Sequence, residues 1–575
     1  MHLFSILMAC SGGGGSDDGP IPSDYTSTTG PNHCDAVEGD EIWAADLNPH
    51  VVDCSLYFEG RSLTIGPGTI VQVANDVALY FSYYGEASGL LVDGTDDYPV
   101  EIGSGASNER GAWSGILVYE AADDANMAIK NTVISEAGGY GAYGALSVDG
   151  ADILVKNLTV QRSEEAGFYL ANGARFAEGS AGLVVVDSDQ AGAMAADNAD
   201  SLPDEGAELT DNDDARVWIG GATVTESATW GSPGVSYVVS GNTYLEGIAG
   251  QPAVLTLEAG VEIQAANDIA LYLSYYGGSS GLWAKGTTES PVVFTSADSR
   301  NPGAWGGILA YGDTDDASFS LANTEIHFGG GYGSYANLYC SGTNPTIVGL
   351  LTTNSEEAGF YLDDGARFTD ASSALAAQDN AYAGAIGADS ADSVPEDGAS
   401  ISGNDVNGVI VTGGTLTESA TWGNVGVPYL AETLYVEGDA GSTAVLTIDA
   451  GVTVAFFADS SLYLGYYGGS AALRVQGTES EGVTFTAAES PEAGEWGGIL
   501  MYDAVDDDQT VLEHFTIEYG GGYGSYANLS FDDASPTIRN AQVQHSEEYG
   551  IYTDGDAAPI LDNVTYSDNA AGNRN

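Results

Sequence analysis

Adjacent aspartates recur three times along this 575-residue chain, each time in a predicted loop that follows a tryptophan-containing strand. Carboxylate oxygens on a loop are the hard ligands that Ca²⁺ prefers. Paired carboxylates in one groove can also act as general acid and base on a polysaccharide. Calcium is the one cofactor that the sequence suggests, and solvated acidic loops without a metal are the alternative. The residues concerned are Asp123, Asp124, Asp315, Asp316, Asp506 and Asp507.

Catalysis is the less favoured interpretation of these acids. A site carried identically three times is unusual for an enzyme, and cleavage of anionic glycans also tends to need cations. Arg175 and Arg367 occupy equivalent positions, but the third equivalent position holds Ala558. His327 has no histidine at its two equivalents. We therefore predict no catalytic residue and favour a chain that is not an enzyme.

Exposed tyrosines form the second recurring group. Flat amphipathic rings suit stacking on sugars, with a hydroxyl left for hydrogen bonds. Three sets of rings on one chain would add avidity for a repeating polymer. The alternative is a structural ladder in which tyrosines of neighbouring coils pack on one another. The candidate ligand-binding residues are Tyr84, Tyr276 and Tyr467, predicted outward by alternation, and Tyr140, Tyr332 and Tyr523, in Gly-rich loops.

The four cysteines match no zinc spacing. Cys34 and Cys54 can form one disulfide in an oxidising compartment. Cys340 has no counterpart at equivalent positions and is predicted to be a buried small hydrophobe.

The start of the chain suggests a membrane anchor. Leu7-Met8-Ala9-Cys10 resembles a bacterial lipobox, in which the cysteine becomes the lipidated N-terminus. The Gly- and Ser-rich stretch that follows is typical of a flexible tether. The resemblance implies lipidation at Cys10 and a surface-exposed location on the bacterial cell envelope, at the outer membrane, with membrane contact through the lipid only.

Composition limits the partners. The chain has 13 Lys and Arg against 83 Asp and Glu, a formal net charge of −70. Such a surface repels nucleic acid and anionic lipid, so we predict neither as a partner.

A tandem repeat carries all these residues. Trp113, Trp305 and Trp496 lie 192 and 191 residues apart, and Gly-Gly-Tyr-Gly and Ser-Glu-Glu stretches keep the same step. We divide the chain into a signal-peptide remnant at 1–9, an acidic tether at 10–40, copy 1 at 41–222, copy 2 at 223–414 and a shortened copy 3 at 415–575.

Within a copy, short runs of alternating apolar residues predict β-strands separated by Gly, Asn and Asp turns. Alternation places Leu271, Leu273 and Tyr275 on one face of a strand and Tyr272 and Tyr276 on the other. Landmarks in copy 1 recur every 27 to 29 residues, which is typical of the successive coils of a solenoid.

The stretches 446–452, 483–486, 496–499 and 536–540 resemble those of bacterial right-handed parallel β-helix proteins with the pectin-lyase-like fold. The resemblance implies an all-β solenoid over most of residues 60–570. That fold carries lyases, hydrolases, adhesins and passive scaffolds, so it does not specify an activity. We expect a non-enzymatic, cell-surface lipoprotein that binds glycan or another surface component. A polysaccharide lyase or hydrolase and a passive structural rod are the alternatives.

Overall fold

The computed structural model describes residues 24–248 and 250–575. The strands given below pair in parallel, each with a strand that lies later or earlier in the chain by roughly one coil. The predicted lipidation site Cys10 and the remnant at 1–9 lie outside the described residues. Contacts divide the described residues into two units: residues 24–193 with 203–215, and residues 194–202 with the described residues of 216–575.

In unit 1 the strands stack in three columns. The first column contains Glu41–Trp43, Ser62–Ile65, Gly89–Asp93 and the first halves of the two long strands Met127–Ser135 and Asp152–Gln161. The short strand Arg175–Phe176 pairs with the start of Asp152–Gln161 and ends this column. The second contains Asn32–His33, His50–Val52, Ile70–Val73, Val100–Ser104, the ends of those two long strands, and Ala181–Val186. The third contains Leu56–Phe58, Ala78–Phe81, Gly115–Tyr119, Gly144–Asp149, Ala166–Ala171 and Gln190–Ala195.

Unit 2 repeats this arrangement. Its first column contains Ala228–Trp230, Ala253–Leu257, Ser280–Lys285 and the starts of Thr314–His327 and Thr346–Thr353. The second contains Asp214–Gly220, Tyr237–Val239, Glu262–Ala265, Val292–Ser296, the ends of those long strands, Ala376–Gln378 and Ser400–Ser402. The third contains Thr223–Val224, Thr243–Leu245, Ala270–Leu273, Gly307–Ala310, Ala336–Ser341, Ala358–Asp363, Tyr382–Gly387 and Val406–Thr412.

Copy 3 continues unit 2 with its own three columns. The first contains Ala420–Trp422, Ala444–Ile448, Ala471–Gln476, Val511–Glu518, Thr537–Gln544 and Ile560–Ser567. The second contains Tyr429–Ala431, Thr453–Phe456 and Val483–Ala487, and joins the end of Val511–Glu518. The third contains Gly414–Leu416, Leu434–Val436, Ser461–Leu464, Gly498–Met501, Ala527–Asp532, Tyr549–Asp554 and Gly572–Arg574.

Helix is scarce. Across residues 24–248 and 250–575 the helices are four short 3₁₀ segments: Ala45–Leu47, Asp124–Asn126, Ala196–Ser201 and Ala391–Ser393. None of the helices within the described ranges is long and apolar enough to cross a bilayer.

Alternation determines which side chains form the core. In the third column of unit 1, Leu79, Ile116, Leu146 and Phe168 stand in register on successive strands and are completely buried. Each coil thus covers the apolar face of the one before it, which is how a solenoid buries strands that are too short to be stable alone. The sequence prediction of an all-β parallel β-helix is confirmed. The number of copies and their boundaries remain predictions.

Two of the recurring sequence motifs contact each other. Gly303, at the start of the Gly-x-Trp stretch of copy 2, has φ of +73°, and a Cβ there would overlap the carboxylate of Glu356 from the Ser-Glu-Glu stretch. Nearby, the buried Trp305 donates its indole N–H to the carbonyl of His327, 2.7 Å away. The two motifs therefore recur together because they join neighbouring coils.

The first coil of unit 1 carries further cross-links. Cys34 and Cys54 are joined by a disulfide with Cα atoms 5.0 Å apart. His33, Trp43 and His50 stack beside it, with the rings of His33 and Trp43 4.2 Å apart. Burial, and then the nearby His50, lower the pKa of His33 to about 4.

Candidate ligand-binding site

The third column presents a cluster of five tyrosines in each copy, and we call these clusters tyrosine patches 1, 2 and 3. Their members occupy equivalent positions on three successive coils. Patch 1 comprises Tyr57, Tyr80, Tyr83, Tyr84 and Tyr119; patch 2 comprises Tyr244, Tyr272, Tyr275, Tyr276 and Tyr311; patch 3 comprises Tyr435, Tyr463, Tyr466, Tyr467 and Tyr502.

Ring geometry is the same in all three patches. Tyr57 and Tyr80 stack with ring centroids 4.7 Å apart, and their equivalents in patches 2 and 3 stack at 4.9 and 5.1 Å. Tyr83 and Tyr84 meet edge to face at 4.9 Å and 84°, against 5.0 Å and 84° in patch 2 and 4.9 Å and 83° in patch 3. The rings do pack across coils, as a ladder requires.

The outermost ring of each patch is nevertheless open to solvent. Tyr84, Tyr276 and Tyr467 are 71%, 69% and 70% exposed. Each patch therefore combines a fixed platform of stacked rings with a free aromatic face above it, an arrangement that suits stacking on a flat ligand.

Simple alternation gives a wrong position for Tyr275. Alternation places Tyr275 on the same face as Leu271 and Leu273. Those two leucines are buried, whereas Tyr275 is 49% exposed. The reason is Ser274, whose φ of +56° turns the chain out of the strand after Leu273. That turn sends Tyr275 and Tyr276 outward together, so the patch gains a ring that the sequence pattern had assigned to the core.

A carboxylate from the preceding coil holds each loop that carries a Tyr-Tyr pair, and it is buried in patches 2 and 3. Glu437 accepts the backbone N–H of Tyr467 at 2.9 Å and that of Gly469 at 2.8 Å. Glu246 does the same in patch 2 for Tyr276 and Gly278, both at 2.8 Å. The exposed rings therefore stand on a loop that is fixed at its backbone.

Protonated phenols give the patches neutral hydrogen-bond donors. Burial, and then the neighbouring tyrosines, raise the pKa of Tyr119 and of Tyr502 to about 12. These groups stay uncharged at physiological pH, so patches 1 and 3 offer hydroxyls in a strongly acidic protein.

The second predicted set of tyrosines also lies at the surface. Tyr140, Tyr332 and Tyr523 have φ of 47°, 56° and 56°, and their side chains are exposed. A further exposed tyrosine follows three residues after each of them, at Tyr143, Tyr335 and Tyr526. This last set was not among the predicted ligand-binding residues, although its members keep the same repeat step.

The paired aspartates are engaged within the protein. The second aspartate of each pair accepts a backbone N–H from 28 residues further on, at 2.9 Å for Asp124, 2.7 Å for Asp316 and 2.6 Å for Asp507. The first accepts a side-chain hydrogen bond three residues on, as Asp315 does from Ser318 at 2.6 Å. Among residues 24–248 and 250–575, no three His, Cys, Asp or Glu side chains converge on a possible metal position. Calcium at these loops remains a prediction.

Several side chains that might act on an anionic glycan are also engaged within the protein. Arg162 pairs with the buried Glu136, and Arg367 pairs with Asp392 at 2.9 Å. His327 lies 2.7 Å from the hydroxyl of Thr353 and 3.1 Å from the carboxylate of Glu325. Cys340 is free and fully buried, and burial raises the pKa of its thiol. These side chains have structural partners or no access to solvent.

Comparison with known families agrees with the strand arrangement. Residues 222–371 match the family described as pectate-lyase like beta helix domain. The chain is a parallel β-helix protein. No curated protein and no solved structure matches it. The matched residues of this β-helix protein include all of tyrosine patch 2 and the aspartate pair of copy 2.

Proposed function

We propose that this β-helix protein binds polysaccharide through its three tyrosine patches without cleaving it. The observation that supports the proposal is the recurrence of five tyrosines at equivalent positions with the same ring geometry. A structural ladder needs stacking between coils, but it does not need one ring in every copy to be about 70% exposed, as Tyr84, Tyr276 and Tyr467 are. A contiguous cluster of exposed aromatic rings on a protein surface is typical of a binding site.

Charge narrows the ligand class. With a formal net charge of −70, the protein repels polyanions over distances of about a Debye length. Phenol hydroxyls, by contrast, exchange hydrogen bonds with neutral hydroxyl groups. The ligand we propose is therefore a neutral polysaccharide, bound weakly by each patch and more tightly by several patches together.

We also propose that the protein is anchored by a lipid at the bacterial cell surface. A lipid on Cys10, followed by the hydrated stretch at 11–18, would hold the β-helix at the outer surface of a bacterial envelope. A surface polysaccharide would be within reach there. Growth with labelled palmitate and recovery of label in the wild type but not in Cys10→Ser tests this part on its own.

The decisive experiment is retention on insoluble neutral polysaccharides by the chain that starts after Cys10. The triple variant Tyr84→Ala, Tyr276→Ala, Tyr467→Ala is expected to lose at least tenfold in affinity, because each lost aromatic contact contributes about 0.5–1.5 kcal/mol. Trp283→Ala is the matched control, since Trp283 is also a half-exposed aromatic but lies on the first column. Equal loss in both variants, or none in the triple variant, contradicts the proposal.

An enzyme is the second candidate, favoured by the match of residues 222–371 to a pectate-lyase like domain. Assaying the same retention experiment for newly released sugar chain ends tests for enzymatic cleavage. Product without retention supports a lyase or hydrolase, and neither signal supports a passive rod.

A further inference from the structure

One position of the third column differs between the copies in a way that opens or fills a pocket. Ser147 in copy 1 and Ser530 in copy 3 correspond to Tyr339 in copy 2. All three residues lie on third-column strands, Gly144–Asp149, Ala336–Ser341 and Ala527–Asp532, and all three are buried.

In copy 2 the side chain of Tyr339 is enclosed by other tyrosines. Its ring centroid lies 6.1 Å from that of Tyr311 and 5.6 Å from those of both Tyr335 and Tyr361. Its hydroxyl donates to Asp363 at 3.1 Å, and only 8% of the residue is exposed. Copy 2 therefore holds a hydroxylated six-membered ring between three tyrosines and a carboxylate.

In copies 1 and 3 the three flanking tyrosines are present without that ring, and copy 3 also keeps the carboxylate, as Asp554, where copy 1 has Ala171. Serine at the equivalent position leaves a pocket of about 330 Å³ in copy 1, lined by Tyr119, Tyr143, Tyr169 and Asp149. The pocket in copy 3 measures about 140 Å³ and is lined by Tyr502, Tyr526, Tyr552, Asp532 and Asp554. The tyrosine walls remain packed, with Tyr143 and Tyr169 4.8 Å apart and Tyr526 and Tyr552 4.7 Å apart.

The pockets carry polar groups suited to hydroxyls. Asp554 is the counterpart of Asp363, which accepts the Tyr339 hydroxyl in copy 2. Ser530 is 9% exposed, lines the pocket of copy 3, and its hydroxyl has no hydrogen-bond partner in the protein. A buried hydroxyl without a partner is destabilising, and a ligand that donates or accepts a hydrogen bond there would remove that cost.

We propose that the pockets at Ser147 and Ser530 are subsites that each take one pyranose ring of a neutral glycan, and that Tyr339 permanently fills the equivalent subsite of copy 2. The proposal rests on the function proposed above and specifies where a sugar residue inserts beside the stacking platforms. The carboxylates in both pockets exclude uronic acids and favour neutral sugars, whose hydroxyls donate to Asp149, Asp532 and Asp554.

Isothermal titration of the chain with neutral hexasaccharides of glucose, mannose and xylose tests the proposal through its stoichiometry. We expect two tighter sites and one weaker site per wild-type chain, because patch 2 has no open pocket beside it, three weaker sites in Ser147→Tyr/Ser530→Tyr, and three tighter sites in Tyr339→Ser. The Ser→Tyr changes reproduce the side chain that copy 2 already accommodates at the same position, so folding should be retained. Circular dichroism and Trp283→Ala serve as controls for fold and for loss of an unrelated aromatic.

The outcomes separate the two proposals. Sites whose affinity is unchanged in Ser147→Tyr/Ser530→Tyr but weakens in the Tyr84, Tyr276 and Tyr467 variant overturn the pocket assignment and leave the patches as the binding surface. No binding by the wild type to any of the three hexasaccharides overturns both proposals. Loss of the two tighter sites in the Ser→Tyr variant together with a third tighter site in Tyr339→Ser supports the pockets.

Discussion

Glu437 makes the position of an exposed aromatic pair depend on one buried carboxylate. It accepts the N–H groups of Tyr467 and Gly469 at 2.9 and 2.8 Å and is only 7% exposed. Glu437→Ala removes both acceptors and leaves these two N–H groups without a partner in the preceding coil.

The expected loss follows from these two bonds. A hydrogen bond to a charged acceptor contributes about 1.5–3 kcal/mol to stability. Water can reach the loop once the side chain is gone, so we use the lower value for each bond, which gives about 3 kcal/mol in total. Since about 1.4 kcal/mol corresponds to a factor of ten, local opening should become more frequent by a factor on the order of 100.

Hydrogen–deuterium exchange of the peptide that contains residues 465–470 measures that opening directly. The amides of Tyr467 and Gly469 should exchange on the order of 100-fold faster in Glu437→Ala, while strand amides of Ala527–Asp532 keep their rates. Glu59→Ala is the matched control, and it should speed exchange of the equivalent loop in patch 1 by a smaller factor. Glu59 is less buried than Glu437, and its second hydrogen bond, from the N–H of Glu86, is longer at 3.3 Å. Unchanged exchange at residues 465–470 would refute the view that the carboxylate fixes the tyrosine loop.

Three further predictions concern stability. Trp496→Phe removes the indole N–H that donates to the Glu518 carbonyl at 2.9 Å, and should lower the free energy of unfolding by about 1–3 kcal/mol in urea denaturation. The pKa of His33 is lowered from 6.5 to about 4 and that of His50 is also lowered, so the unfolded chain binds protons that the native state does not. Stability should therefore fall as the pH drops from 6.5 to 4, and His33→Gln/His50→Gln should flatten this part of the profile in thermal melts. Asp316→Ala removes three hydrogen bonds and should lower Tm in calcium-free buffer. A calcium-dependent rise in Tm that is present only in the wild type would establish the metal site predicted from the sequence.

The fold was predictable because its signal is repeated. Alternating apolar residues such as Leu255 and Leu257 lie in a predicted strand that the structure gives as Ala253–Leu257, with both side chains buried. Coil length was less predictable, since loops leave the coil at the corners. Leu338 pairs with Phe360, 22 residues on, whereas Leu271 pairs with Ile308, 37 residues on. A regular step of 27 to 29 residues describes some landmarks, but it does not describe every coil.

The candidate site was only partly predictable, because it depends on contacts between coils. Outward alternation correctly places Tyr276 at the surface, but it fails for Tyr275, where the left-handed Ser274 breaks the pattern. Nothing in the local sequence shows that Glu246 lies beneath this loop, since its partners lie 30 and 32 residues away. The aspartates show that residue type alone can suggest a site. Asp316 has the residue type of a metal ligand, but it accepts hydrogen bonds from Asn344 and so connects two neighbouring coils.

Differences between copies are more informative about binding than their similarities. Stacking, the Trp hydrogen bond and the carboxylate beneath the tyrosine loop are explained by the need to join coils, and they are retained in every copy. No such need explains serine at 530, because copy 3 keeps a carboxylate, Asp554, where Asp363 accepts the hydroxyl of the well-packed Tyr339 in copy 2. Filling all three positions would bury more apolar surface and leave no unpartnered hydroxyl at Ser530. Two copies give up that stabilisation, and a pocket that receives a ligand ring is a physical reason for them to do so.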